Sequence, residues 1–209
     1  PDYEERQVLG LWGADAAAFL EKTFGGKPDG LFASRAGDGY TLVQVDAQGE
    51  RFECYLDPAG SAALAETICN AETDEAWRRL EVDSGIARIE AETVEAFVPQ
   101  VLNYDLTGHI SFTKGCYTGQ EVVARLHYRG TSKRRCFLAD LPVDTRCTPG
   151  SPVYAAGVTQ SVGDIVKVAG AERALVSATL TGVEAGLHLE SPDGPALATS
   201  PPPYPLESG

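Results

Sequence analysis

The sequence predicts an α+β chain: a ferredoxin-like α+β portion over residues 1–132, followed by a small antiparallel β-barrel over residues 133–209. Three observations predict it. The first part runs strand, helix, strands, helix, the order of a split βαβ unit. After Gly130 the chain breaks into short β-rich runs divided by Pro and Gly, the spacing of a small barrel. Finally, 209 residues with 43% hydrophobic content suffice for one or two domains with a real core.

Each element has a local reason. Val8–Trp12 reads as a strand, and Gly13–Phe24 as a helix with Ala17, Leu20 and Phe24 on one face, ended by Gly25-Gly26. Leu31–Arg35, Tyr40–Val45 and Arg51–Leu56 are β-rich, the last two joined by a turn at Asp46-Ala47-Gln48-Gly49. Asp57-Pro58 supplies an N-cap with Pro at the first helical position, opening a helix from Pro58 to Cys69. Thr73 caps a further helix carrying Trp77 and Leu80. Strand and loop follow Gly85, and another helix is expected from Gly119 to Tyr128. The barrel strands are expected at Arg134–Leu141, Pro152–Ala155, Ser161–Val168, Arg173–Leu180 and Val183–Leu189, and the Pro-rich end as an extended tail.

Composition narrows the function. A formal charge of −13 opposes polyanion binding over the whole surface, so such a contact needs a local basic patch. No apolar run is long enough to span a membrane, and the first residues lack a signal-peptide pattern. Five cysteines without CxxC or Cys/His pairing argue against a disulfide framework or structural zinc and favour a reducing compartment, with a location in the cytoplasm or an organelle matrix expected, cytoplasmic first. The chain begins at Pro1 and contains no Met, so an N-terminal piece is expected to be missing.

The chemistry-bearing segment is Lys114-Gly115-Cys116-Tyr117-Thr118-Gly119-Gln120-Glu121. Thr118 through Glu121 matches a capping box, which starts a helix and places Cys116 two residues before its N-cap, beside free N–H groups, with Lys114 nearby. Both influences favour a thiolate, suited to nucleophilic attack, redox exchange or soft-metal ligation. Cys54, Cys69 and Cys136 fall in apolar element interiors and Cys147 in a Thr/Pro loop, so these read as structural. His109, His127 and His188 fit no metal spacing.

Between Lys114 and Arg135 six bases, Lys114, Arg125, Arg129, Lys133, Arg134 and Arg135, face the single acid Glu121, a balance of +5 in a chain of −13. Two readings stand: a site for carboxylates, phosphates or RNA, or a solvated face paired with acids elsewhere. Tyr117 and Tyr128 either stack on a ring or pack.

The Lys114–Glu121 octapeptide, with Phe97-Val98-Pro99-Gln100, Gly108–Thr113, Val123-Ala124-Arg125 and Arg129-Gly130 around it, resembles the YgfZ family. These are folate-binding proteins that support iron–sulfur enzymes, including those that thiolate tRNA, and are related in fold to the aminomethyltransferase of the glycine cleavage system. The resemblance implies two ferredoxin-like units and a barrel around a tetrahydrofolate cavity, of which this chain supplies one unit and the barrel. It implies Cys116 and Lys114 as the reactive pair and Tyr117, Gln120 and Arg125 as neighbours at the ligand. Trp77 matches a tryptophan placed against folate, where an indole face stacks on a flat pterin. Asp83 falls where aminomethyltransferases carry a pterin-binding Glu, or it is an exposed turn residue. Ala87 replaces the usual Pro of the family's Gly-Ile-Pro. The implied function is a tetrahydrofolate-binding accessory protein in assembly or repair of iron–sulfur enzymes. The alternative is a folate-dependent aminomethyl or methyl transferase, whose relatives lack a cysteine at the Cys116 position. An RNA-binding module using the Lys114–Arg135 strip is a third reading.

Overall fold

A computed structural model describes residues 6–58, 74–130 and 132–206. The chain divides into two compact units, Pro1–Glu72 and Thr73–Gly209.

The first unit holds β1 (Gln7–Trp12), α1 (Ala16–Phe24), β2 (Ser34–Gly37), β3 (Tyr40–Gln44) and β4 (Arg51–Leu56). They form a four-stranded antiparallel sheet in the order β1-β4-β3-β2. The stripe Ala16, Leu20 and Phe24, spaced by four, turns one side of α1 into a core with Leu11, Leu42, Phe52, Cys54 and Leu56. Gly25 ends α1 in the left-handed region at φ 67°, its N–H donating to the Glu21 carbonyl at 3.0 Å. The β3–β4 turn is locked by Asp46, whose carboxylate accepts from the N–H groups of Gly49, Glu50 and Arg51. The strand expected at Leu31–Arg35 begins only at Ser34, because Phe32 sits at φ 61°, outside extended backbone. The helix expected from Pro58 to Cys69 and its successor's cap Thr73 fall, past Pro58, outside the described residues.

The second unit contains α2 (Asp74–Asp83), 3-10 turns at Ala91–Thr93 and Pro99–Leu102, α3 (Gln120–Arg129), β5 (Arg134–Asp140), β6 (Pro152–Ala155), β7 (Ser161–Ala169), β8 (Arg173–Thr179), α4 (Leu180–Ala185), β9 (Leu187–Leu189) and β10 (Ala196–Ser200). The strands close into a barrel ordered β10-β5-β8-β7-β6-β9. Two features were not anticipated. The run expected as a strand from Val183 to Leu189 begins as a helix, because the Thr179 hydroxyl accepts from the Gly182 N–H and nucleates a turn. β10, which pairs with both β5 and β9 and completes the closure, was not foreseen at all.

Alternation within β5 and β8 explains why both read as continuous apolar runs. Phe137, Ala139, Ala174, Val176 and Ala178 belong to one core cluster, with Ile165, Leu187 and Leu189 from other strands of the barrel. Cys136, Leu138 and Leu175 join Val82 of α2, Ala87 and Leu102 in a second cluster. This second cluster is why residues 74–130 belong with the barrel rather than with the first sheet, where the sequence placed them. α2 packs on β7 and β8, and the Pro99–Leu102 turn on β5.

Asn103 braces that packing. Fully buried and left-handed at φ 62°, it donates from Nδ2 to the Cys136 carbonyl at 2.8 Å and accepts at Oδ1 from the Cys136 N–H at 3.1 Å. Its Nδ2 also reaches Tyr204 Oη, which donates to the Gly85 carbonyl at 2.7 Å and so ties down the tail. Asn103→Ala leaves a buried N–H and carbonyl unpaired and puts a less tolerant residue in the left-handed region. It is expected to cost about 2–4 kcal/mol. Urea titration followed by amide exchange along β5 measures this, and unchanged protection at Cys136 contradicts the bracing role.

Candidate functional site

The helix after the Lys114–Glu121 segment starts one residue later than the capping box requires. The cap is Gly119, left-handed at φ 85°, with no side-chain cap bond; Thr118 and Glu121 do not form the reciprocal pair. The physical reason is that Gln120 acts instead: its Oε1 accepts from the Tyr117 N–H at 3.2 Å, folding the loop onto the helix start. A left-handed cap position suits glycine, which adopts it without a Cβ penalty. Cys116 therefore stands three residues before the cap, exposed and free of any disulfide. Lys114 lies over the Tyr117 ring, Nζ 4.8 Å from its centroid.

α3 itself is held by Val123, buried beneath it, and by Gln100 Nε2, which donates to the Val123 carbonyl at 2.6 Å. Its outer side carries Arg125, paired with Glu121 at 2.8 Å one turn away, together with Tyr128 and Arg129. Glu121, Ala124, Arg125, Tyr128 and Arg129 line an open groove of ≈ 320 Å³. Phe112 stacks on His127, and Tyr128 meets both rings edge-on. The basic strip is smaller than its composition suggests. Arg135 is buried, donating to the Gln100 carbonyl at 2.9 Å and to Asp105 at 2.7 Å, and Arg134 pairs with Asp164 at 3.4 Å. The other histidines have local partners: His109 stacks on Tyr104, and His188 Nδ1 lies 2.8 Å from the Gly194 carbonyl.

The second group of predicted residues is on α2. Trp77 is half-buried and donates from Nε1 to Glu81 at 3.1 Å. Asp83, at the helix end, is held by Arg79 and Arg173, each at 3.0 Å, so its carboxylate locks α2 onto β8. The side chain beside Trp77 is Glu81, which the sequence reading passed over. Glu81 is buried and also takes the Lys167 Nζ at 2.5 Å and the Arg88 guanidinium. Lys167, itself buried, reaches Glu90 at 3.6 Å, and Glu90 pairs with Arg78 at 2.7 Å. Lys167 takes this direction because the register of β7 shifts between Ile165 and Lys167, which puts it opposite Leu175. A signal was present in the sequence: a lysine inside the run Ile165-Val166-Lys167-Val168, and a glutamate four residues after Trp77.

Asp74, Trp77, Arg78, Glu81, Arg88, Ile89, Glu90 and Lys167 line an open hollow of ≈ 260 Å³. Its three acids balance its three bases, so it offers hydrogen bonding and a flat indole wall rather than net charge. Among the described residues no three His, Cys, Asp or Glu side chains are grouped to hold a metal ion, and no helix is long and apolar enough to cross a membrane.

Removing one member of the Glu81–Lys167 pair strands the other charge in the interior. Glu81→Leu is expected to cost about 3–5 kcal/mol, and the double substitution Glu81→Leu with Lys167→Met to recover most of it. Chemical denaturation of the three variants tests this; a double variant no more stable than Glu81→Leu would refute the coupling. The cysteines divide by burial. Desolvation pushes the Cys54 thiol up to about 11, the Cys136 thiol up to about 12, and that of half-buried Cys147 up as well. A raised value keeps these thiols protonated and unreactive near neutral pH, whereas access leaves Cys116 open. Brief alkylation read by peptide mass spectrometry is expected to label Cys116 before Cys147, with Cys54 and Cys136 unlabelled until the chain unfolds. Early labelling of Cys136 would contradict this order.

No family model matches the chain. Among solved structures, the glycine cleavage system aminomethyltransferase T from Bartonella henselae is similar to it over 97% of the chain, with a TM-score of 0.61 at 15% identity. The chain spans 60% of the length of that protein. At this identity the likeness is one of architecture: the sheet, the closed barrel and the helices on it make an aminomethyltransferase-like fold.

Proposed function

We propose that this chain is part of a tetrahydrofolate-binding accessory protein that assists assembly or repair of iron–sulfur enzymes, tRNA-modifying ones among them, with Cys116 as its reactive or ligating thiol. The observation that carries the reading is the open hollow walled by Trp77. Its ≈ 260 Å³ falls just below the usual range of ligand pockets, room for a bicyclic ring rather than a whole cofactor.

The residues present fit such a ring. The Trp77 indole supplies the stacking face, and its orientation is fixed by the bond to Glu81. Arg78 and Arg88 at the rim donate to carbonyl or carboxylate oxygens. Asp83 is a positioning residue here, holding the end of α2 through Arg79 and Arg173. When bound, tetrahydrofolate would supply a carrier for a one-carbon unit, through one nitrogen of its reduced ring and the bridge nitrogen beside it. At the Lys114–Glu121 loop, Gln120 shapes the backbone at Tyr117, Lys114 adds positive charge near Tyr117, and Arg125 extends it along α3. The exposed Cys116 thiol there is accessible to a macromolecular client, as an accessory role requires. The likeness to a solved aminomethyltransferase favours one second reading, a folate-dependent aminomethyl or methyl transferase.

Titration with tetrahydrofolate is expected to change the fluorescence of the protein, and the change to vanish in Trp77→Ala while that of Trp12 remains as background. In cells lacking the protein, the wild type is expected to restore the activity of an iron–sulfur enzyme, and Cys116→Ser, accumulating to the same level, to fail. Equal restoration by both removes the proposed thiol role. Aminomethyl transfer to tetrahydrofolate at the same rate by both would favour the transferase reading.

A further inference from the structure

We propose that the outer face of α3 binds a short stretch of single-stranded RNA, with Tyr128 stacking on a base and Arg125 and Arg129 contacting adjacent phosphates. This goes beyond the folate reading: Arg125 and Lys114 are shared with it, whereas Tyr128 and Arg129, the two positions the test alters, play no part in it. The groove on this face is lined by Glu121, Ala124, Arg125, Tyr128 and Arg129. Tyr128 is 70% exposed, although its ring already has Phe112 and His127 edge-on beside it. An aromatic held by other rings yet open on one side is a preformed stacking platform that loses little side-chain freedom on binding.

The charge on this face complements a phosphate backbone. Arg125 and Arg129 are one helical turn apart, about 6 Å between their Cβ atoms, comparable with the step between phosphates of an extended strand. Arg125 is tied only to exposed Glu121 on its own helix, a pair weak enough for a phosphate to displace. Lys114 and Lys133 flank the helix in sequence and are exposed. With Arg134 and Arg135 already engaged by Asp164 and Asp105, these four cations are what remains of the basic strip. In a chain of −13 they support only a short footprint, which excludes a long duplex-binding surface.

Single-stranded RNA fits this set better than an acidic peptide, because carboxylates would use the arginines and leave the aromatic platform unused. A duplex would hide the base faces that Tyr128 needs. Glu121 selects RNA over DNA: its carboxylate, freed from Arg125, can accept a hydrogen bond from a ribose 2′-hydroxyl, which DNA lacks.

The test is fluorescence anisotropy with a labelled oligouridylate, in the absence of folate. Arg125, Arg129 and one of the flanking lysines make about three phosphate contacts, which predict a log–log salt slope near −2, so affinity is expected to fall about 20-fold between about 50 and 200 mM salt. Arg129→Ala is expected to shallow the slope by about 0.7, and Tyr128→Ala to weaken binding about tenfold with the slope unchanged. Both positions are exposed, so the fold is expected to persist, and circular dichroism of each variant checks it. The proposal is overturned by absence of binding at low salt, by unchanged affinity in both variants, or by equally tight binding of oligodeoxythymidylate, duplex RNA or polyglutamate. Folate binding could fail while this result stands, and the reverse.

Discussion

The second unit depends on one buried contact, the pairing of Glu81 on α2 with Lys167 on β7. Two ionised groups removed from water each carry a desolvation cost of several kcal/mol, which is offset only when the partners lie close and further polar groups complete the shell. Here they do: Lys167 Nζ is 2.5 Å from Glu81, whose carboxylate also receives Trp77 Nε1 and Arg88. The consequence is positional. An apolar interface tolerates sliding, but this one specifies which turn of α2 meets which residue of β7. Because Trp77 shares the same carboxylate, the direction of its indole is set by the contact that docks the helix, and the hollow inherits its shape from the fold.

The barrel has the same economy. β5 and β8 bury both faces, one in the cluster shared with Ile165, Leu187 and Leu189, the other under α2 and the Pro99–Leu102 turn. A strand covered on both sides cannot shift register by one residue without exchanging the two clusters, and those clusters differ in the volumes they accept. Asn103 reinforces this register by pairing with both backbone groups of Cys136. The register shift in β7 is the one departure from regular pairing that bears on the hollow, and it serves to bring Lys167 opposite the outward-facing Leu175.

What could be read in advance followed from local physics. Leu20 and Phe24 of α1, the Asp46 turn and the barrel strands at Pro152–Ala155 and Ser161–Ala169 are fixed by residues close in sequence, and pattern alone finds them; the third member of the α1 stripe is Ala16, a full turn before Leu20, rather than the expected Ala17. β10 was illegible because Ala196–Ser200 has little β propensity of its own and becomes a strand by pairing with β5 and β9. The assignment of residues 74–130 to the barrel rests on contacts such as Val82 with Leu175, far apart in the chain, which no local window contains. At the site, the helix at Gln120 was legible, but the cap was not: Thr118 has the right chemistry at the right spacing, and the left-handed Gly119 beside it took the position. Glu81 was illegible because its partner Lys167 lies far along the chain, whereas Asp83 two residues later is engaged by Arg79 and Arg173.

Charge separates the two faces of the second unit more sharply than shape does. The hollow at Trp77 is polar but balanced, with every base near an acid, so its own side chains add no net local field to draw or repel a ligand. Selection in such a place comes from short-range fit, which suits a flat, weakly charged ring. The outer side of α3 is the reverse: its cations point to water, one of them paired only through an exposed bond within the helix. In a protein of net charge −13 a small positive region of this kind is strongest at close range, because the surrounding negative potential cancels it within about a Debye length. Such a surface holds what is already delivered to it rather than capturing a partner from a distance. Cys116 is exposed on the loop that leads into that helix, so what decides its reactivity toward a reagent in solution is access rather than depth.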